Sequence, residues 1–130
     1  ILESGERLYE AVGRQAQKWG EGTEGERGYG IVGAVVGATY PEQAKVLRKI
    51  MPKSIILVPG YGAQGGGAEE TIPNFNEDGQ GAIVHSARGI IFAYKNEPYK
   101  NEFKPEEFHL AAREATLTMK KDLLEALKNL

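Results

Sequence analysis

Three short apolar runs, each broken by glycine or proline, alternate along this chain with stretches whose apolar residues recur every third or fourth position. The runs cover residues 31–38, 55–58 and 82–86. The first is glycine-rich and apolar on both faces, the pattern of a parallel strand covered on two sides, and the second, rich in β-branched residues and stopped by Pro59-Gly60, reads as a buried parallel strand. The spacing predicts a helix over about 5–19, with Leu8, Val12 and Ala16 on one face and Tyr9 beside them. A second helix is opened by Pro41 behind Thr39 as cap, faces Ala44, Leu47 and Ile50 inward, and is ended by Pro52. A third is predicted over about 68–75, before a turn at 76–79. The last runs over 104–130, with Phe108, Ala111, Ala115, Met119, Leu123 and Leu127 near one stripe.

Strand starts fall about 24 and 27 residues apart, the interval of consecutive βα units joined by right-handed crossovers. The fold class is therefore α/β, with about three βα units and flanking helices. They form either a small open sheet or part of an eight-stranded (β/α) barrel, which in full takes about 250 residues. Residues 1–130 make one domain or a half-barrel fragment, and residues 20–30 are a glycine- and glutamate-rich connector.

Composition narrows the partners. With 130 residues, 41% hydrophobic and 26% charged, the chain holds one domain's worth of core. A formal charge of -2 gives no electrostatic reason for a nucleic acid or an anionic membrane as partner. The absence of cysteine removes disulfides and thiolate chemistry and suits a reducing compartment. No signal-like segment opens the chain and no run nears the roughly 20 apolar residues that span a bilayer, so the expectation is a cytoplasmic protein.

The chemistry concentrates where the second run breaks into Pro59-Gly60-Tyr61-Gly62-Ala63-Gln64-Gly65-Gly66-Gly67. Glycines there let backbone N–H groups crowd against an anion, which points to a phosphate. The turn at Ser86-Ala87-Arg88-Gly89, after the third run, would be its partner, with the Arg88 guanidinium making a bidentate contact. Two successive strand ends converging on one phosphate is the arrangement of phosphate-binding (β/α) barrels. The bland readings are a polar loop residue for Gln64, a surface ion pair for Arg88 and a strand stopper for Pro59.

The same loop spells Gly60-x-Gly62-x-x-Gly65, the dinucleotide fingerprint. The acidic residue that should close the next strand is missing, because Asp78 precedes that strand and Arg88 closes it. An arginine suits a 2′-phosphate, so an NADP-binding domain stays open as an alternative. No Gly-Lys-Ser/Thr follows the glycines, which excludes the Walker loop.

Val35-Val36-Gly37-Ala38-Thr39-Tyr40-Pro41-Glu42, Val58-Pro59-Gly60-Tyr61-Gly62-Ala63-Gln64-Gly65-Gly66 and Ser86-Ala87-Arg88-Gly89-Ile90-Ile91 together resemble the C-terminal half of orotidine 5′-phosphate decarboxylase, in its longer bacterial variety. The match is collinear over nearly the whole chain, with residues 8–19 similar to the helix before the sixth strand. It implies decarboxylation of orotidine 5′-monophosphate to UMP and CO2 in de novo pyrimidine synthesis, by a homodimeric barrel with no metal and no organic cofactor. Residue by residue, it implies that Gln64 touches phosphate and pyrimidine and that Arg88 anchors the phosphate. Gly62 and Gly89 would lie near it through their backbone, and Pro59 and Tyr61 would pack beside the base.

The departures matter as much. Relatives of this variety commonly carry asparagine and serine where this chain has His85 and Ala87, which implies that neither side chain is an essential contact. His85 reads as a satisfied strand-end residue and His109 as packing or surface. The family's chemistry rests on alternating lysines and aspartates, including an Asp-x-Lys-x-x-Asp motif. This chain has only Asp78 and Asp122 and no such motif, so no catalytic residue is expected in it. The chain opens at Ile1 without methionine, which suits truncation, the catalytic array then lying upstream on an N-terminal half. A noncatalytic phosphate-binding half-barrel is the other alternative. The nucleotide reading requires that the two turns face a common cavity.

Overall fold

A computed structural model describes residues 1–62 and 67–130. Helix α1 (Leu8–Gly20) leads into strand β1 (Ala34–Val35), helix α2 (Pro41–Ile50) and strand β2 (Ile56–Pro59). A 3-10 helix, Glu69–Asn74, then precedes strand β3 (Ala82–His85), helix α3 (Ala87–Ile91) and three single 3-10 turns, and helix α4 (Phe108–Leu127) closes the chain. The three strands form one parallel sheet in the order β1-β2-β3. Each crossover carries a helix or a 3-10 helix, as the strand spacing predicts.

The register fixes which side chains share a face. Val35 lies level with Leu57, and Leu57 with Ile83, while Pro59 lies level with His85. Ala34, Ile56 and Ala82 make the alternate row. Ile56 and Val58 are fully buried, and Ala34, Val36, Ala82 and Val84 pack with them against Ala16, Leu47, Ile50 and Met51 of the helical layer. Val35, Leu57 and Ile83 point the other way and are exposed. The strands are therefore covered on one face only, not two, because helices flank this sheet on a single side.

Several elements depart from the sequence expectation for local reasons. The strand expected over 31–38 shrinks to Ala34–Val35, although the N–H groups of Ala34, Val36 and Ala38 donate to the carbonyls of Ile55, just before β2, and of Leu57 and Pro59 within it. It is an edge strand, and a Cβ on Gly33 would meet the Ile55 carbonyl oxygen at 2.5 Å, so the chain there approaches β2 too closely for a side chain. The helix expected over 68–75 is a 3-10 helix that holds Pro73, whose missing N–H cannot sustain an α-helical ladder. Thr39 does not cap α2: the N-cap is Tyr40, with no side-chain bond. Of the face expected to carry Leu8, Val12 and Ala16, only Ala16 is buried, with Gly13 and Gly20, while Leu8 and Val12 are exposed. The last helix begins at Phe108, after a 3-10 turn at Pro105–Glu107, and buries Ala111, Ala115 and Met119 while Phe108 stays exposed.

The N-terminal rim of the sheet is locked by one buried charge. The Arg48 guanidinium, 5% exposed, donates to the carbonyls of Met51, Ser54 (2.8 Å), Gly81 (2.9 Å) and Asn74 (3.2 Å). It thus ties the end of α2 to the entrances of β2 and β3. The connector is also pinned: Thr23 donates to the Gly20 carbonyl and accepts from Ile31 N–H, and Lys53 pairs with Glu24 at 2.9 Å.

Candidate functional site

All three strands deliver their C-terminal ends to the same rim, where β2 runs into Gly60–Gly62 and β3 into Ser86–Gly89. Gly60 has φ +110 and Gly62 φ +71, conformations costly for a residue with a side chain, so the turn after β2 depends on glycine at both places. The two turns are bonded together: the Ser86 hydroxyl donates to the Tyr61 carbonyl oxygen at 3.2 Å. A Cβ on Gly89 would come within 2.7 Å of that same hydroxyl oxygen, so glycine is what lets α3 start against Ser86.

Between the turns lies a cleft of about 330 Å³, lined by Pro59, Gly60 and Tyr61 on one side and His85, Ser86, Arg88 and Gly89 on the other, with Gly37 and Thr39 from the end of β1. A larger chamber of about 720 Å³ adjoins it and shares Tyr61, Ser86, Arg88 and Gly89, adding Gly62, Lys95, Tyr99 and Thr118. Among the described residues Arg88 lines both spaces, Lys95 lines the larger one, neither lining carries a carboxylate, and the Arg88 guanidinium has no ion-pair partner. An unpaired guanidinium in an acid-free, glycine-walled cleft attracts and orients a phosphate-sized anion.

Tyr61 is one of the four residues that line both spaces. Its hydroxyl donates to Asp122 Oδ2 on α4 at 2.7 Å, and its phenol is pushed up to about 12, first by burial and then by the Asp122 carboxylate. Behind it, Tyr99 donates to Thr118 at 3.1 Å, and the Lys95 ammonium sits over the Phe92 and Tyr94 rings at 5.1 and 5.4 Å. The Tyr99 bond braces the 3-10 turns after α3 on α4, while the Lys95 contacts stay within the first of those turns and the residue before it.

Of the residues singled out from sequence, Pro59, Tyr61, Arg88 and Gly89 meet in the cleft, and Gly62 lines the adjoining chamber. Gln64 lies outside the described residues, as does Gly65 of the dinucleotide fingerprint. The two turns do face a common cavity. His85 is not the satisfied strand-end residue expected: it alternates away from the helical layer, is exposed in the cleft, and among the described residues its ring makes no hydrogen bond. His109 is exposed, its ring edge-on at 5.6 Å to that of its exposed neighbour Phe108, the surface position being one of the two expected. Sequence reading missed Thr39, which its place just past β1 signals, and Asp122, which nothing local signals. Among the described residues no three His, Cys, Asp or Glu side chains converge as a metal site would require.

No family model matches the chain. Orotidine 5′-phosphate decarboxylase of Rhodopirellula baltica is 44% identical over 119 residues, which is 92% of this chain and 39% of that protein. The decarboxylase of Clostridium novyi is 44% identical over 120 residues, 92% of this chain and 40% of that protein. The chain thus spans about two fifths of the length of the curated relatives it matches. Among solved structures, Leishmania donovani UMP synthase superposes with a TM-score of 0.64 and 28% identity, over 92% of this chain and 23% of that one. Leishmania donovani OMP decarboxylase, at 23% identity, gives a TM-score of 0.63 over 95% of this chain and 41% of its own, and bears on the fold alone. With these neighbours the three-stranded parallel sheet is part of a (β/α)8 barrel.

Proposed function

Because this chain is a relative of the orotidine 5′-phosphate decarboxylases along the two fifths of their length that it spans, we propose that it is the C-terminal, phosphate-gripping part of such an enzyme. The observation that carries this is the pair of turns joined by Ser86 and Tyr61 around a cleft whose unpaired cation is Arg88. Arg88 holds the 5′-phosphate as a fork, Gly62 and Gly89 approach it through their backbone, and Pro59 and Tyr61 wall the nucleotide, with Gln64 as a further contact. Holding a group remote from the reacting bond supplies binding energy that fixes the pyrimidine in place.

The chemical step then falls to a complementary N-terminal half. There a carboxylate crowds the substrate carboxylate, the bond from C6 to that carboxylate breaks with its electron pair left on C6, and a lysine ammonium gives C6 its proton, releasing CO2 and UMP. The reaction needs no metal or organic cofactor. On the family resemblance, the assembled enzyme is a cytoplasmic homodimer of de novo pyrimidine synthesis. No helix of the described residues is long and apolar enough to cross a membrane.

An NADP domain is disfavoured by the local fold, since the dinucleotide fingerprint needs its glycines to open an α-helix, and here a 3-10 helix follows. The test is UMP binding and turnover by the complete barrel, measured by calorimetry and by loss of orotidine 5′-monophosphate. The reading expects both, with Arg88→Ala weakening UMP by roughly 1.5–3 kcal/mol, the worth of a charged hydrogen bond. Unchanged UMP affinity in that variant overturns the phosphate role. UMP binding without turnover instead favours a noncatalytic half-barrel, and NADP binding tighter than UMP favours the dinucleotide domain.

A further inference from the structure

We propose that Asp122 is a positioning residue for the nucleotide: by holding the Tyr61 hydroxyl it fixes a wall that the phosphate cleft shares with the chamber beside it. The inference rests on the phosphate reading of that cleft. Tyr61 lines both spaces, so the place of its ring sets the shape of each. The ring stands on a turn with little stiffness of its own, since Gly60 and Gly62 flank it in left-handed conformations with no Cβ to restrain them. Among the described residues, two side-chain bonds hold it, one from Ser86 to its backbone carbonyl and one from its hydroxyl to Asp122, 61 positions along the chain.

The Asp122 end is firmly mounted. Helix α4 spans Phe108–Leu127 and is seated through Ala111, Ala115 and Met119, with Ala93, Tyr99 and Phe103 packed against its first half. A carboxylate on such a beam gives the phenol one fixed acceptor. Deprived of it, the hydroxyl bonds to water in many directions, and the ring is free to swing into the cleft or out of it. Substrate binding then has to order the ring, a cost paid in affinity and not in the chemical step.

The experiment uses the complete decarboxylase that carries this chain. Asp122→Ala should raise KM for orotidine 5′-monophosphate about tenfold, the order expected for one lost hydrogen bond to a charged group, while kcat stays within about twofold. Asp122→Asn, which keeps an acceptor without the charge, should restore most of the affinity. Tyr61→Phe should match Asp122→Ala, and the double variant should be no worse than either single one, because both remove the same bond. A parent enzyme with normal turnover whose Asp122→Ala variant keeps KM within about twofold, or melts earlier with KM unchanged, overturns the positioning role and leaves the phosphate reading standing. Additive effects in the double variant overturn it equally. A parent that neither binds UMP nor turns over substrate overturns the phosphate reading, and this inference with it.

Discussion

Ser86 donates its side-chain hydroxyl to the backbone carbonyl of Tyr61 across 3.2 Å, joining the turn that follows β2 to the turn that follows β3. Register alone brings Pro59 level with His85 at the strand ends, but it does not dictate how the turns beyond them are spaced. This bond ties them, in a cleft that Arg88 and the glycine turn line together. Ser86→Ala should therefore weaken UMP binding to the complete enzyme by about 1 kcal/mol, the typical net worth of a neutral hydrogen bond. Calorimetric titration checks it, and an unaltered affinity would mean that the turns keep their spacing without the serine.

Arg48 should behave oppositely, affecting stability and not binding. It sits at the N-terminal rim, away from the cleft, with its charge desolvated and pushed toward a lower pKa by burial; carbonyls take up its two terminal nitrogens, while among the described residues its Nε has no partner. Arg48→Met keeps the volume but strands the Ser54 and Asn74 carbonyls, which should cost about 2–4 kcal/mol of unfolding free energy. Urea midpoints of the complete enzyme would show the loss, with KM for the nucleotide unmoved.

The strands were legible because residues 55–58 and 82–84 are short continuous apolar runs bounded by glycine, proline or polar residues. The glycine turn and Arg88 were legible because they follow those runs directly, at the end where barrels place their sites. Other features were set by contacts that no local pattern encodes. Helix α3 has five residues and no buried side chain, and the 3-10 turns after it are shaped by Ala93, Tyr94, Tyr99 and Phe103 packing on α4. Leu8 and Val12 obey helical spacing yet remain exposed, because periodicity marks an apolar face without saying whether the chain also supplies its cover. They line an apolar groove with Val35 and Leu47 along the open edge of β1. The bond between Tyr61 and Asp122 belongs to the same class, two residues that only the tertiary fold introduces.

Tyr61 also makes a prediction in pH. Its phenol lies at about 12 in the folded chain, against about 10 when unfolded, so the folded state holds that proton more tightly. The group's contribution to stability is complete below about pH 10 and is lost as pH rises through about 12. Of the six tyrosines, Tyr61 should ionise late in a near-ultraviolet titration. Tyr61→Phe should remove that late step and flatten the fall in stability above pH 10, where a persisting late step would place it on another tyrosine.

The row formed by Val35, Leu57 and Ile83 decides how the chain behaves by itself. These three are level across the sheet, on the face away from the helices, and are 67%, 39% and 60% exposed. In a (β/α)8 barrel the side chains on this face belong to the layered, filled interior, closed by strands on both sides of the three seen here. Left open, it presents apolar surface beside two unpaired strand edges, the outer sides of β1 and β3, which template association. The 130 residues alone should therefore sediment as oligomers, and addition of the complementary N-terminal half should convert them to a defined complex. Ile83→Lys places a charge in that layer, so it should reduce self-association of the isolated chain and at the same time prevent productive assembly with the other half. A sharp monomer peak with cooperative melting from the unmodified chain would show instead that this sheet closes without a partner.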